Sequence, residues 1–340
     1  MEKYSFLDDY SEGCHPNILK ALTKTNLDQE LAYGYDSSSI QAKELIHRKL
    51  DNPSAKIYFV SGGTQANLIV SAASLRPHEA IISAEIGHIL AHEAGAHEAV
   101  GHKIISMKTD SGKLDVSTIQ SALDGHTHIP HMVKPKMVYL SNATEIGTIY
   151  TKNELEEIHA FCKEKELLLF VDGARLGSAL SAKKNDLTLA DLSRLTDVFY
   201  IGGTKNGALL GEAIVVNNEQ INRDFEIHIK QRGALLSKGR VLGVQFLELF
   251  KDDLFYNLAR KANRLAEKIS NALVQKGYKL LDETVTNQVF PILPNTLIRI
   301  LEENFSFHIW EKKDEAHSVI RLVTSWTTDE AQVDRLIEAF

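Results

Sequence analysis

The stretch Leu167-Leu168-Leu169-Phe170-Val171-Asp172-Gly173-Ala174-Arg175 decides the fold. Five apolar residues in a row leave no polar face, so the segment reads as a strand covered on both sides, ending in an acid and a glycine turn. Further on, an apolar run at 198–201 passes into Gly202-Gly203-Thr204-Lys205-Asn206-Gly207, a second strand that ends beside a charged residue. Similar runs stand at 57–60, 80–83, 104–107, 137–140 and 213–216, and helix-period stretches at 65–75, 115–123 and 153–165 lie between them. This alternation predicts an α/β fold, a mostly parallel seven-stranded sheet between helices, with ligands at the carboxyl ends of the strands.

Beyond position 250 the pattern changes. An amphipathic helix is expected over 253–276, with Leu254, Leu258, Leu265 and Ile269 on its apolar face. Short strands follow at 289–293, 305–309 and 319–323, with Pro291 and Pro294 at edges or turns. The expected division is a large domain over 1–250, whose N-terminal segment contributes to the site, and a small α+β domain over 251–340. Residues 125–131, rich in histidine, read as a loop.

The net charge of -7 over 340 residues gives no general attraction to nucleic acid or to an anionic membrane. Only Cys14 and Cys162 occur, too few for a disulfide framework. No signal-peptide pattern or membrane span is evident, so the expected location is cytoplasmic and the expected partner a small molecule.

An acid and a lysine at the ends of neighbouring apolar strands match what pyridoxal 5'-phosphate requires: an amine to hold it as a Schiff base and a carboxylate to keep its ring nitrogen protonated. A lone lysine is far more often a solvated surface residue, and a lone Asp172 caps a helix or pairs with Arg175 about as readily. Ser61-Gly62-Gly63-Thr64, between a strand and a helix, offers amides and a hydroxyl to a phosphate, although Gly-Gly turns are common in such folds. His88 follows the strand at 80–83, where an imidazole can lie over a ring. With His92 and Glu93 it also has a spacing suited to zinc, but no third ligand is indicated and no metal is expected. Arg321, in a late strand, is either an exposed edge residue or a clamp for a carboxylate.

These residues stand within a longer series of motifs: Asp9 with Gly13 and His15-Pro16; Gly63-Thr64 with Asn67; His88 with Glu93-Ala94-Gly95-Ala96; Ala143-Thr144-Glu145-Ile146-Gly147; Asp172-Gly173-Ala174-Arg175; Gly203-Thr204-Lys205-Asn206-Gly207; and Arg321-Leu322-Val323-Thr324-Ser325. In that order they resemble the threonine aldolase family, beta-eliminating-lyase-like enzymes of the aspartate-aminotransferase-like fold (fold type I), and most closely its low-specificity L-threonine and phenylserine aldolases. The resemblance implies Lys205 as the Schiff-base lysine, Asp172 at the ring nitrogen, His88 over the ring, and Gly62, Gly63, Thr64 and Thr204 among the cofactor contacts. It further implies Arg175 near the cofactor's phenolic oxygen and the substrate carboxylate, with Arg321 on that carboxylate. Tyr33 and Arg240 look like residues given by a neighbouring chain, which implies a homo-oligomer, a dimer of dimers, with shared sites. Asp8 stands where relatives usually have a serine that helps bind the carboxylate. Thr144-Glu145 occupies the region where many relatives carry a second histidine, Gly239 replaces a common methionine, and His92 falls at a variable position suited to setting side-chain preference.

The implied activity is cleavage of L-threonine, L-allo-threonine or a relative such as phenylserine to glycine and an aldehyde. His88, directly or through water, and Glu145 are the candidate bases. The alternatives are a pyridoxal-phosphate lyase eliminating from another amino acid, and a cofactor-binding homologue without catalysis.

Overall fold

In the computed structural model, which describes residues 3–340, all seven expected strands form one sheet. Its spatial order is Lys56–Val60, Glu212–Val216, Val198–Gly202, Leu168–Asp172, Lys134–Ser141, Glu79–Ala84 and Lys103–Met107. Only Glu212–Val216 runs against its neighbours. Alternate residues of each strand serve opposite cores: Leu169 and Val171 pack in one cluster with Val138, Phe199 and Ile201, while Phe170 packs in the other with Met137, Tyr139 and Tyr200. Both faces are therefore dry, as the uninterrupted apolar runs demand. The helices Gly63–Ser74, Val116–Asp124 and Lys152–Glu164 fall where expected, the last opened by a reciprocal cap between Thr151 and Glu154.

The long helix spans Leu254–Gln275 and packs Leu265, Ile269 and Leu273 against a five-stranded sheet through Val289, Ile320 and Leu322. Two of the expected strands are divided. The run at 289–293 forms Gln288–Val289 and Pro291–Pro294, because Pro291 has no amide to continue the ladder. The run at 305–309 forms Phe305–Ser306 and His308–Lys312, which pair with different partners. Phe305–Ser306 pairs in parallel with Tyr4–Ser5, and Phe6 enters the same core. This anchor leads into Leu7 to Asp9, where the Leu7 carbonyl accepts from Arg321 and the Asp9 carboxylate from Arg175 and Asn287. No helix among the described residues is long and apolar enough to cross a membrane.

Candidate active site

The parallel strands deliver their carboxyl ends to one rim. Asp172 ends its strand opposite Ser141, Gly62–Thr64 follow Lys56–Val60, and Lys205 follows Val198–Gly202. Close approach is built in at Gly173: a Cβ there would collide with the Tyr200 carbonyl oxygen, so only glycine lets Asp172 lie against the next strand. Together these residues line a cavity of about 270 Å³. It adjoins a second of about 710 Å³, and the two share Tyr10, His88, Glu145, Arg175 and Lys205.

Asp172 is 4% exposed and densely held. Tyr139 donates to its Oδ2 at 2.5 Å, Asn67 to the same oxygen at 3.2 Å, and the Ala174 amide to Oδ1 at 2.9 Å. A carboxylate has about four acceptor sites, so a place remains for a protonated ring nitrogen. Asn67 also donates to Glu93 at 2.8 Å, and His88 Nδ1 lies 2.7 Å from Glu93 Oε1. Burial by itself raises the Glu93 carboxyl, yet hydrogen bonds from His88 and Asn67, with the His97 ring nitrogen 3.6 Å from its other oxygen, outweigh it and bring the value down to about 2. Glu93 is thus an anion at neutral pH. It draws the proton of the neutral imidazole to Nδ1, leaving Nε2 as the lone-pair nitrogen of His88.

The helix Gly63–Ser74 opens with Gly62 at its cap position and no side-chain cap, so its first-turn amides remain free toward the cavity. A Cβ built on Gly62 meets nothing within 4 Å, which leaves room for a phosphate over those amides. The residues present therefore fit the cofactor at both its ring-nitrogen and phosphate ends.

Arg175 donates through Nε and one amino group to Asp9 at 2.8 and 3.0 Å, and Asn287 donates to the same carboxylate at 2.8 Å. Burial opposes both charges, but Arg175 holds Asp9 below the usual carboxylate range and Asp9 holds Arg175 above the usual guanidinium value. Arg321 gives one hydrogen bond, to the Leu7 carbonyl at 3.2 Å, and stands 5.6 Å from the ring centre of Trp310. Its Nε is buried without a partner among the described residues, a donor still to be satisfied. Glu145 Oε1 accepts from Ser141 at 2.7 Å and from the His88 amide at 2.8 Å. Burial raises its carboxyl despite those donors, with Asp172 adding to the effect.

Lys205, Asp172, His88, Glu145, Arg175, Thr204 and the 62–64 loop thus converge in one chain, and Arg321 and His92 line the adjoining cavity. Asp8, Tyr33 and Arg240 line neither. The Asp8 carboxylate is turned into its own loop, accepting from the Tyr10 amide at 3.1 Å and Ser11 at 2.8 Å. Tyr33 is 43% exposed, its amide donating to the Ser237 carbonyl, and Arg240 donates to the carbonyls of Asp28 and Thr25. Among the described residues no three His, Cys, Asp or Glu side chains converge on a metal position.

Sequence reasoning missed Tyr139 and Glu212 as members of the site. Tyr139 is hidden inside an apolar run. Glu212 did carry a signal, an acid at the mouth of an apolar strand like Asp172.

A sequence profile of the beta-eliminating lyases matches residues 6–295. The low specificity L-threonine aldolase of Pseudomonas aeruginosa is 33% identical over 333 residues, 97% of this chain and 94% of its own length. The solved structure of Leishmania major threonine aldolase superposes with a TM-score of 0.97 at 48% identity, covering 98% of both chains. Thermus thermophilus aspartate aminotransferase, at a TM-score of 0.75 and 15% identity, shares the fold. The chain belongs to the beta-eliminating lyase family and, within it, to the threonine aldolases.

Proposed function

We propose that this protein cleaves L-threonine, L-allo-threonine or a related β-hydroxy-α-amino acid to glycine and an aldehyde. The observation that carries this reading is the convergence, in two adjoining cavities, of a half-buried lysine, a hydrogen-bonded aspartate, two arginines and two candidate bases. Pyridoxal phosphate, the cofactor of this family, when bound supplies a ring that withdraws electron density from Cα. Lys205 is the amine that holds it, Asp172 keeps its nitrogen protonated, and Gly62, Gly63 and Thr64 receive its phosphate.

Arg321 and Arg175 hold the substrate carboxylate, which fixes the orientation of the Cα–Cβ bond. The β-hydroxyl proton passes to Glu145 or to Nε2 of His88. Glu145 is suited to the task because a carboxyl raised by burial is a stronger base than an ordinary one. His88 is suited because Glu93 fixes its tautomer. His92 and Trp310 wall the larger cavity on the side-chain end, where a phenyl group has space.

The same reading takes 1–250 and 251–340 as the two domains, places the protein in the cytoplasm and makes it a homo-oligomer, a dimer of dimers. Leu27, Leu31, Tyr35 and Ile227, between 53% and 91% exposed, support a second copy on the side that carries Tyr33 and Arg240. On this reading Tyr33 and Arg240 complete the neighbour's site. Asp8, held by its own loop, stays clear of the substrate carboxylate.

The test is a product assay on the protein loaded with cofactor. Glycine and acetaldehyde are expected from L-threonine or L-allo-threonine, and Lys205→Ala should lose turnover and the borohydride-reducible link. Pyruvate and ammonia would instead indicate an eliminating lyase. No turnover of any amino acid would leave a binding protein.

A further inference from the structure

Arg175 already carries a carboxylate. Asp9, 1% exposed, lies along one edge of its guanidinium: Nε donates to Oδ2 at 2.8 Å and Nη2 to Oδ1 at 3.0 Å. Two parallel bonds of this kind form the fork in which an arginine grips an acid most firmly. Only 12% of the Arg175 side chain is exposed, and it lines both cavities. With Nε and one hydrogen of Nη2 committed to Asp9, the end edge, formed by Nη1 and the other hydrogen of Nη2, is what remains for a ligand.

The chain before Asp9 fixes it in that place. Tyr4–Ser5 pairs with Phe305–Ser306, and the Val323 amide donates to the Phe6 carbonyl at 2.9 Å. One residue on, the Leu7 carbonyl accepts from Arg321 at 3.2 Å. Asn287 donates to Asp9 Oδ2 at 2.8 Å and, from the same amide nitrogen, to the carbonyl of Thr324 at 2.8 Å, just past the strand that carries Arg321. Residues 7 and 9 therefore touch Arg321 and Arg175 in turn, so one stretch of chain sets where both guanidiniums stand. Neutralising Arg175 is not a sufficient account of Asp9, because a substrate carboxylate would do the same. The Asp9 charge repels such a carboxylate and lowers its affinity, so its contribution lies in geometry.

We propose that Asp9 is a positioning residue for the cleavage: it blocks the side edge of Arg175, so that the substrate carboxylate meets only the end edge and the Cα–Cβ bond is presented in one orientation. With the side edge open, the carboxylate has a second seat on the same guanidinium, and the bond to be broken turns away from the direction in which electrons are withdrawn. This rests on the reading that Arg175 and Arg321 hold the substrate carboxylate. That premise is tested separately, by absorbance titration of the cofactor-loaded protein with glycine and with glycinamide, which has no carboxylate. In Arg175→Gln the preference for glycine over glycinamide should fall about 10-fold or more. A preference that survives refutes the premise.

The proposal itself is tested with Asp9→Asn in the full-length, cofactor-loaded protein, by two measurements that it drives apart. The kcat for L-threonine should fall about 10²-fold, the cost of an ångström-scale misplacement of a reacting group. The dissociation constant of glycine should stay at the wild-type value or drop below it, because an anion beside the binding arginine is gone. Loss of a merely structural support would weaken glycine binding along with kcat; that outcome overturns the proposal, and so does an unchanged kcat. Should Asp9→Asn not fold or not load, Asn287→Ala keeps the ion pair and frees Asp9 from its third donor. It must lower kcat by a smaller factor without raising the glycine constant, and an unmoved kcat or a raised constant is equally fatal.

Discussion

Two buried glutamates, Glu212 in the cavity wall and Glu93 behind His88, are held in opposite states. Glu93 accepts from the Asn67 amide and meets the His88 imidazole, with His97 3.6 Å away, and its carboxyl is held down to about 2. Glu212 has one hydroxyl and one amide, and burial prevails, raising it to about 8. The kind of donor and the depth of burial together decide the charge. One wall of the site is thereby fixed as an anion behind His88 and Asp172, while the other can exchange a proton near neutrality. Such a separation is how like residues come to serve unlike roles.

The sharpest way to break this contrast is at the fixed wall. Asp172→Asn keeps the shape and the contacts to Asn67 and Tyr139 in altered polarity, but removes the charge that holds the ring nitrogen protonated. The rate of aldehyde formation should fall on the order of 10³-fold while the visible spectrum still reports bound cofactor. Full activity in that variant removes the electron-withdrawing role from Asp172. Glu145→Gln comes next, with an expected loss of about 10²-fold in kcat if its carboxyl takes the β-hydroxyl proton. A loss of only a few fold assigns that proton to His88.

Much of this contrast was half legible in the chain. The apolar run ending at Asp172 announced a strand, its burial and the position of its acid together, because period and charge coincide there. Lys205 was readable for the same reason. Tyr139 was not, since a phenol in an apolar run shows its hydrogen bond only once Asp172 is brought beside it from the next strand. Likewise the Arg175–Asp9 pair joins residues 166 positions apart, and no local pattern reports such a contact. The divided strands near Pro291 depended on which neighbour each segment chose, which is a tertiary choice.

A milder test asks whether donors really hold Glu93 as an anion. Glu93→Gln should lower stability by about 2 kcal/mol at neutral pH, since hydrogen bonds to a charged group are lost in a buried place. The sign with pH follows from the direction of the shift. The folded carboxyl lies below its unfolded value of about 4.3, so the wild-type advantage is complete above that pH, shrinks as pH falls toward about 2, and is absent below. Thermal unfolding of both proteins across that window checks it. A difference in melting temperature that stays constant with pH would mean that Glu93 contributes shape rather than charge.

The smallest expected effect lies at the mouth, where Arg321 stands over Trp310 and Trp310 in turn meets the edge of Phe290. A guanidinium is drawn to the face of an indole more strongly than to that of a benzene ring, and the whole attraction is worth about 0.5–1 kcal/mol at an exposed site. Trp310→Phe, which keeps an aromatic face, should therefore raise KM for threonine by no more than about 2-fold and leave kcat unchanged, because carboxylate binding is the same in the bound and reacting states. The deep walls act on proton position and should appear in kcat, whereas the mouth acts on capture and should appear in KM. If Trp310→Phe lowers kcat instead, the arginine's placement governs how the Cα–Cβ bond is presented, and the mouth belongs with the deep walls after all.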